Sequence, residues 1–149
     1  MIINKSIDIE DEVRLALDDY LTVYCRPLPA DYTLPHVLVS WVGGSIDQTI
    51  DTFEVVLDAR AKSEAEAVNY LQTAKGILKE AARQQTTAIR YVTENTSGSW
   101  GADPVRPDLA MCSARLSIVA HQQSVEVEPG DGATLIVDSN RDFLIATEE

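Results

Sequence analysis

The C-terminal stretch of the chain carries a spacing of oxygen-bearing side chains that is typical of a calcium loop. Asp138, Asn140 and Asp142 follow the Asp-x-Asn-x-Asp order, and Glu149 falls at the twelfth position. Such a loop turns sharply at its sixth position and needs glycine there, but the sixth residue is Phe143. We therefore interpret this stretch as a polar turn, and the sequence predicts no metal site and no cofactor.

The groupings of residues that carry catalysis are mostly absent, and the chain has only two histidines and two cysteines. His36 and His121 lie in or at the end of apolar segments, where a structural histidine is favoured over a general base. Cys25 and Cys112 form no CxxC or metal-spaced pair, and single cysteines of this kind are usually buried small hydrophobes. The sequence has no GxSxG, HExxH, P-loop or GxGxxG motif. These observations predict a protein that is not an enzyme.

Two other groups of residues suggest contacts with a partner. Three basic residues recur at four-residue spacing on one face of a predicted helix. Such a row is usually a solvated face, but in an oligomer of an acidic chain it would pair with a neighbour's acidic surface. Trp100 is a large aromatic in a polar loop, where it would either anchor an interface or pack over the protein's own sheet. The predicted interface residues are Lys75, Lys79, Arg83, Trp100, Asp103 and Arg106.

The composition places the chain among ordinary soluble domains. Its 149 residues, 45% hydrophobic and 24% charged, suffice for a core without disulfides or metals. Twelve Lys and Arg against 24 Asp and Glu give a net charge of −12. That balance disfavours general nucleic-acid binding and attachment to anionic membranes. The sequence also predicts no signal peptide and no membrane-spanning segment.

Two segments have the apolar periodicity of helices. The first covers residues 8–24, with Asp8 or Ser6 as its cap, and the prolines that follow would end it. The second covers residues 63–83 and begins with a capping box made by Ser63 and Glu66. Its wide apolar stripe predicts that it packs on a sheet.

Strands are predicted from β-branched, aromatic and alternating residues. The first is apolar on both faces and is broken by Gly43-Gly44, and the linker to the second is too short for a crossover helix, which predicts an antiparallel hairpin. The predicted strands cover residues 36–42, 52–61, 88–94 and 109–121, with a loop rich in Gly, Ser, Asp and Pro at residues 95–108.

The predicted fold class is α+β. The order is helix–strand–strand–helix–strand–strand, with a mainly antiparallel sheet. Residues 1–121 form the main α+β domain, and residues 122–149 form an acidic, β-rich C-terminal appendage of short strands.

Two stretches of sequence stand out beside this order of elements. They are Leu34-Pro35-x-Val37-Leu38-Val39 and the loop with the following strand, Ser97-Gly98-Ser99-Trp100-Gly101-Ala102-Asp103-Pro104-Val105-Arg106-Pro107-Asp108-Leu109-Ala110-Met111-Cys112-Ser113-Ala114-Arg115-Leu116. Together they resemble the tail terminator (tail completion) proteins of long-tailed bacteriophages. The likeness covers about residues 8–128 and lies in element order and sequence pattern, not in a catalytic signature.

The resemblance implies a small subunit that closes into a six-fold ring, caps the finished tail tube and joins it to the head connector. It implies further copies of the chain, the tail tube protein and the neck proteins as partners. It also implies a place at the head-proximal end of the virion tail, after assembly in the host cytoplasm. DNA would pass through without specific binding, because like charge keeps it from adhering to an acidic lumen. It implies no enzymatic activity.

Three alternatives stay open at this point. The first is a neck protein of the same machinery that plugs the connector. The second is an acidic inhibitor that mimics DNA, although its carboxylates would have to be spaced like phosphates on one face, whereas here they are scattered. The third is a small enzyme of unknown type, which the missing catalytic set disfavours.

Overall fold

Two helices and nine strands make up the part of the chain that the computed structural model describes. That part is the backbone of residues 1–47, 49–129, 134–137 and 144–145, with the side chains of these residues except 96–100, 102, 134–137 and 144–145. The elements are, in chain order, β1 (Ile2–Lys5), α1 (Ile9–Leu17), β2 (Val23–Cys25), β3 (His36–Ile46), β4 (Ile50–Ala61), α2 (Glu64–Gln84), β5 (Ile89–Ala102), β6 (Ala110–His121), β7 (Gln123–Glu128), β8 (Thr134–Val137) and β9 (Leu144–Ile145).

A five-stranded sheet in the order β2-β3-β4-β6-β5 forms the centre of the fold. Adjacent strands of this sheet run antiparallel, except that β2 and β3 run parallel. Buried side chains of α1 and α2 join those of the sheet in one apolar core. The structure therefore confirms the α+β class, and β3 and β4 form the antiparallel hairpin that their short linker predicts.

Helix α2 begins and packs as its sequence predicts. Ser63 is the N-cap, and its hydroxyl accepts a hydrogen bond of 3.2 Å from the backbone N–H of Glu66. The helix ends at Gln84, and Gln85 leaves it in the left-handed conformation with φ of 56°. The helix contacts β4, β5 and β6. The buried side chains of its apolar stripe are Ala67, Leu71, Ala74, Leu78 and Ala82.

Helix α1 is shorter than predicted. Asp8 caps it by accepting a hydrogen bond from the backbone of Asp11, but it ends at Leu17 and not near residue 24. Residues 23–25 form β2 instead, whose backbone pairs with residues 37–39 of β3. The β-branched and aromatic residues there suit a strand beside another strand, so tertiary pairing overrides the helical periodicity.

Strand β3 continues past the two glycines that were predicted to end it. The register with β4 shifts between Trp41 and Gly43, which marks a β-bulge, and pairing resumes to Ile46. Gly44 has φ of 139°, and a Cβ placed there would lie 2.0 Å from the carbonyl oxygen of Thr52. The glycine therefore lets β3 turn through the bulge in close contact with β4.

Gly44→Ala is expected to destabilise the fold by about 2–3 kcal/mol, because the added methyl group meets the backbone of β4 at a φ that side chains disfavour. Gly43→Ala is the matched control, since a Cβ at Gly43 has no atom within 4 Å and its φ is outside the left-handed region. Urea unfolding of both variants measures the difference. Equal midpoints for the two would contradict the described geometry of the bulge.

The predicted loop at residues 95–108 is largely a strand, so that prediction is wrong over most of its length. Strand β5 runs to Ala102 and pairs with β6, with register shifts near residues 90, 95 and 97–98. These irregularities let a segment of small and polar residues stay paired where local propensity favours a loop. The connection to β6 is only residues 103–109.

A second sheet, in the order β1-β7-β8-β9, combines strands from both sides of the predicted domain boundary at residue 121. Strand β1 pairs antiparallel with β7, from Ile2 opposite Glu126 to Lys5 opposite Gln123. Residues 122–149 therefore do not form this sheet alone, because residues 2–5 supply one of its strands.

Candidate functional site

The connection at residues 103–109 is a tightly bonded loop held to the sheet by a buried ion pair. The Oδ2 of Asp103 lies 2.8 Å from the Nε of Arg60 on β4, and both side chains are nearly buried, 6% and 12% exposed. The Oδ1 of Asp103 accepts hydrogen bonds from the backbone N–H of Val105 (2.9 Å) and Arg106 (3.3 Å). The backbone N–H of Asp103 donates to the carbonyl of Leu109 and closes the loop.

These contacts determine the charge state of Asp103. Burial by itself would raise the pKa of this carboxyl group, but the two backbone hydrogen bonds and the guanidinium of Arg60 together hold it below its ordinary value. Asp103, a predicted interface residue, therefore belongs to the internal framework of the loop. Its carboxylate is directed inward and away from solvent.

Arg106, by contrast, stands on the surface of the same loop. Its guanidinium forms a two-point ion pair with Asp108, with distances of 3.1 and 3.0 Å, and both side chains are more than half exposed. Val105 beside it is the most exposed large hydrophobic residue among the described side chains, at 85%. The loop thus presents an apolar side chain next to an ion pair, on a framework fixed by Asp103.

The predicted basic row on α2 does not exist as one exposed face. Lys75 is buried, and its Nζ lies 2.6 Å from the Oε2 of Glu94 on β5. The helix is rotated so that this position faces the sheet, where the carboxylate neutralises the ammonium group. Lys79 and Arg83 remain exposed. Arg83 is paired with Glu80 one turn earlier, which raises the pKa of the arginine and lowers that of the glutamate.

Trp100 lies on β5, where its backbone pairs with that of Cys112 on β6. The loop in which it was predicted is therefore strand at this position. Its side chain is outside the described residues. The prediction that Trp100 anchors an interface accordingly stays a prediction.

The hairpin of β3 and β4 exposes large apolar side chains that are not among the predicted interface residues. Trp41 is 49% exposed and Ile46 is 73% exposed, although both belong to a strand whose first half is buried. Val42 and Ile50 are exposed beside them. Trp41 also packs edge-on against Phe53, with ring centroids 6.0 Å apart. The apolar run that predicts a strand contains these residues, but periodicity does not reveal where the covering helices stop.

A polar clamp holds the backbone at the start of this exposed region. The carboxylate of Glu10 on α1 accepts a hydrogen bond of 2.9 Å from the backbone N–H of Trp41 and another from Arg26. Arg26 in turn donates to the carbonyl of Trp41. Because β2 ends at Cys25, these two side chains satisfy backbone groups of β3 that no strand reaches.

The cysteines and histidines differ in exposure: Cys25 is half-buried, Cys112 and His36 are buried, and His121 is exposed. Burial raises the pKa of Cys25 to about 11 and raises that of Cys112 as well, so both thiols stay protonated near neutral pH. His36 is completely buried. Over the described side chains, no three His, Cys, Asp or Glu residues are grouped to hold a metal ion. The calcium-like pattern at residues 138–142, with Glu149, lies outside the described residues.

No family model matches the chain, and no curated protein matches it. Among the helices that the structure describes, neither is long and apolar enough to cross a membrane.

Proposed function

We propose that this protein is a structural subunit of a bacteriophage tail, of the tail terminator type. It assembles into a six-membered ring, caps the tail tube and joins it to the head connector. The observation that carries the proposal is the exposed apolar surface of the β3–β4 hairpin, formed by Trp41, Val42, Ile46 and Ile50. Several large apolar side chains exposed along one hairpin favour a contact with another protein at that hairpin.

The order of elements supports the same proposal. With the short strands β1 and β2 set aside, the central part of the chain follows α1, β3, β4, α2, β5 and β6. This is the helix–strand–strand–helix–strand–strand order on which the resemblance to tail terminator proteins rests. The β7–β9 strands would form the C-terminal appendage, and the net charge of −12 suits a ring through which DNA passes.

The pairing of the acidic side chains weighs against the DNA-mimic alternative. A phosphate mimic needs unneutralised carboxylates in regular spacing, but many carboxylates of this protein are matched with cations of the same chain. The pairs are Asp11 with Arg14, Glu10 with Arg26, Glu54 with Arg115, Glu80 with Arg83, Glu94 with Lys75, Asp103 with Arg60 and Asp108 with Arg106. A basic partner protein would have to compete with these internal cations.

We expect the purified protein to form rings with the mass of six chains in light scattering and a central hole in negative-stain images. Ile46→Lys is expected to abolish the rings without unfolding the protein, because the charge enters the apolar contact between subunits. Tyr20→Lys is the matched control: Tyr20 is 71% exposed, close to the 73% of Ile46, but lies outside the hairpin. A protein that is monomeric at every concentration contradicts the ring, and equal effects of the two substitutions contradict the hairpin contact.

Two further measurements test the exposed basic residues of α2 and the neck-protein alternative. Exchanging Lys79 and Arg83 together for glutamate tests the basic residues of α2 that remain exposed: loss of rings in this variant would assign them to the interface as well.

Mixing rings with purified tails and with filled heads distinguishes the terminator from the neck plug. A terminator binds the free end of the tail first, whereas a plug binds the head connector.

A further inference from the structure

His36 is a buried titratable group that belongs to no surface of the proposed ring. It is fully buried at the start of β3, with its Nδ1 2.9 Å from the carbonyl oxygen of Thr33. A ring nitrogen facing a carbonyl must carry the proton, so the other nitrogen, Nε2, is a bare acceptor in the neutral ring. That Nε2 has no hydrogen-bond partner among the described residues.

Side chains from β2, from the loop after it, from β4 and from the 103–109 loop surround His36. The rings of Tyr24 on β2 and Tyr32 in the following loop meet the imidazole edge-on, at centroid distances of 5.2 and 4.9 Å. Arg60 lies directly opposite His36 in the β3–β4 ladder. Asp103, bound to Arg60, is the acidic group that acts on the ring.

These surroundings favour the neutral imidazole. Burial is the largest influence and lowers the pKa of His36 below its ordinary value of 6.5; Arg60 lowers it further, while the Thr33 carbonyl and Asp103 act in the opposite direction. Arg60 itself has a buried nitrogen, Nη1, that lacks a partner within the described part of the chain. The carboxylate of Asp103 is already paired with Arg60. A positive charge on His36 would therefore have no counter-ion of its own.

Both oxygens of that carboxylate are already engaged. Oδ2 of Asp103 binds Arg60, and Oδ1 holds the backbone N–H groups of Val105 and Arg106. A protonated His36 gains an N–H at Nε2 and a charge beside Arg60. To satisfy them, either Asp103 must turn away from the loop or the imidazole must leave its place between the two tyrosine rings.

We propose that His36, Arg60 and Asp103 form an acid-sensitive latch that holds the 103–109 loop on the sheet at neutral pH and releases it when His36 is protonated. The loop carries the exposed Val105 and Arg106, so the latch controls the shape of a projecting element of the surface.

The direction of the pH effect follows from linkage. Because the closed state lowers the pKa of His36, the open state binds the proton more tightly, and closure is favoured above the ordinary pKa of 6.5. As the pH falls from there, the open fraction grows by up to about tenfold per pH unit until the pKa of the closed state is reached. Asp103, whose pKa is held below its ordinary value, is ionised where this window begins, near pH 6.5.

Hydrogen exchange of the Val105 and Arg106 amides, expressed as protection factors, tests the latch. Protection should fall by up to about tenfold per pH unit below about 6.5 in the parent protein. The fall should be absent in His36→Gln, whose side chain does not titrate. His121→Gln is the matched control, because His121 is the other histidine of the chain and is exposed. It should behave like the parent protein.

Three results would overturn the latch. They are protection that does not change with pH, an unchanged fall in His36→Gln, and an equal fall for amides of the β4–β6 ladder, which would indicate global unfolding. Should His36→Gln fail to fold, NMR of the His36 ring protons in the parent protein decides. Their titration midpoint must coincide with the pH at which loop protection levels off, and separate midpoints would refute the coupling.

Discussion

Leu71→Asp is expected to lower the free energy of unfolding by about 3–5 kcal/mol, which is a large part of the stability of an ordinary domain. Leu71 is 1% exposed and lies in the middle of the apolar stripe of α2, against the five-stranded sheet. A carboxylate there would be buried without a partner, and the site would lose the packing of the leucine. The expected outcome is a protein that is mostly unfolded at temperatures at which the parent is folded.

Gln72→Asp provides the control for this substitution. Gln72 is the next residue on the same helix and is exposed, so the variant introduces the same residue with the same low helix propensity but no burial. Its free energy of unfolding, measured in urea, should lie within about 1 kcal/mol of the parent value. If Leu71→Asp melts like Gln72→Asp, the assignment of the buried face of α2 is wrong.

Arg60→Met is expected to cost about 3–5 kcal/mol, because it leaves the carboxylate of Asp103 buried without its cation. Methionine keeps much of the apolar stem of arginine, so the loss reports the ion pair more than the packing. The double variant Arg60→Met with Asp103→Asn should recover part of the loss, since it removes the unpaired charge as well. Urea unfolding of the single and double variants measures the coupling.

Arg115→Met is the matched control for Arg60→Met. Arg115 lies on the neighbouring strand β6 and is also paired with a carboxylate, Glu54, but these side chains are 47% and 33% exposed. Exposed pairs contribute about 0–1 kcal/mol because water screens both charges. A loss at Arg115 equal to that at Arg60 would contradict the view that burial sets the strength of the Asp103 pair.

The parts of the fold that could be predicted from the sequence are those that local patterns determine. The capping box at Ser63 and the apolar stripe after it predict α2 to within one residue at each end. The alternation in β4 and β6 correctly separates buried from outward-facing positions. In both cases the signal is contained within one element, so no knowledge of its neighbours is needed.

The errors occur where one segment depends on a distant one. Strand β2 exists because β3 is beside it, and β5 extends through Gly98 and Gly101 because β6 supplies the pairing. Neither effect appears in the periodicity of the segment itself. Local sequence propensity therefore predicts a longer α1, and it predicts a loop where the second half of β5 lies.

For the candidate site, too, local spacing could be predicted from the sequence, whereas contacts between distant segments could not. The four-residue spacing of Lys75, Lys79 and Arg83 places them along one side of α2, but it cannot reveal that Glu94 on β5 meets Lys75. Likewise, Asp103 was selected as a surface residue although Arg60, distant in sequence, draws it inward. A sequence signal for both pairs would be correlated change at the two positions across relatives.

The pairing of β1 with β7 has a consequence for how the chain is made. Met1 and Val127 exchange backbone hydrogen bonds across a separation of 126 residues. During synthesis, residues 2–5 leave the ribosome long before their partner strand exists, whereas the β3–β4 hairpin and the α2–β6 region can close over shorter distances. The backbone groups of residues 2–5 therefore have no partner strand until β7 has emerged, so this pairing completes after the strands of the central sheet have been synthesised.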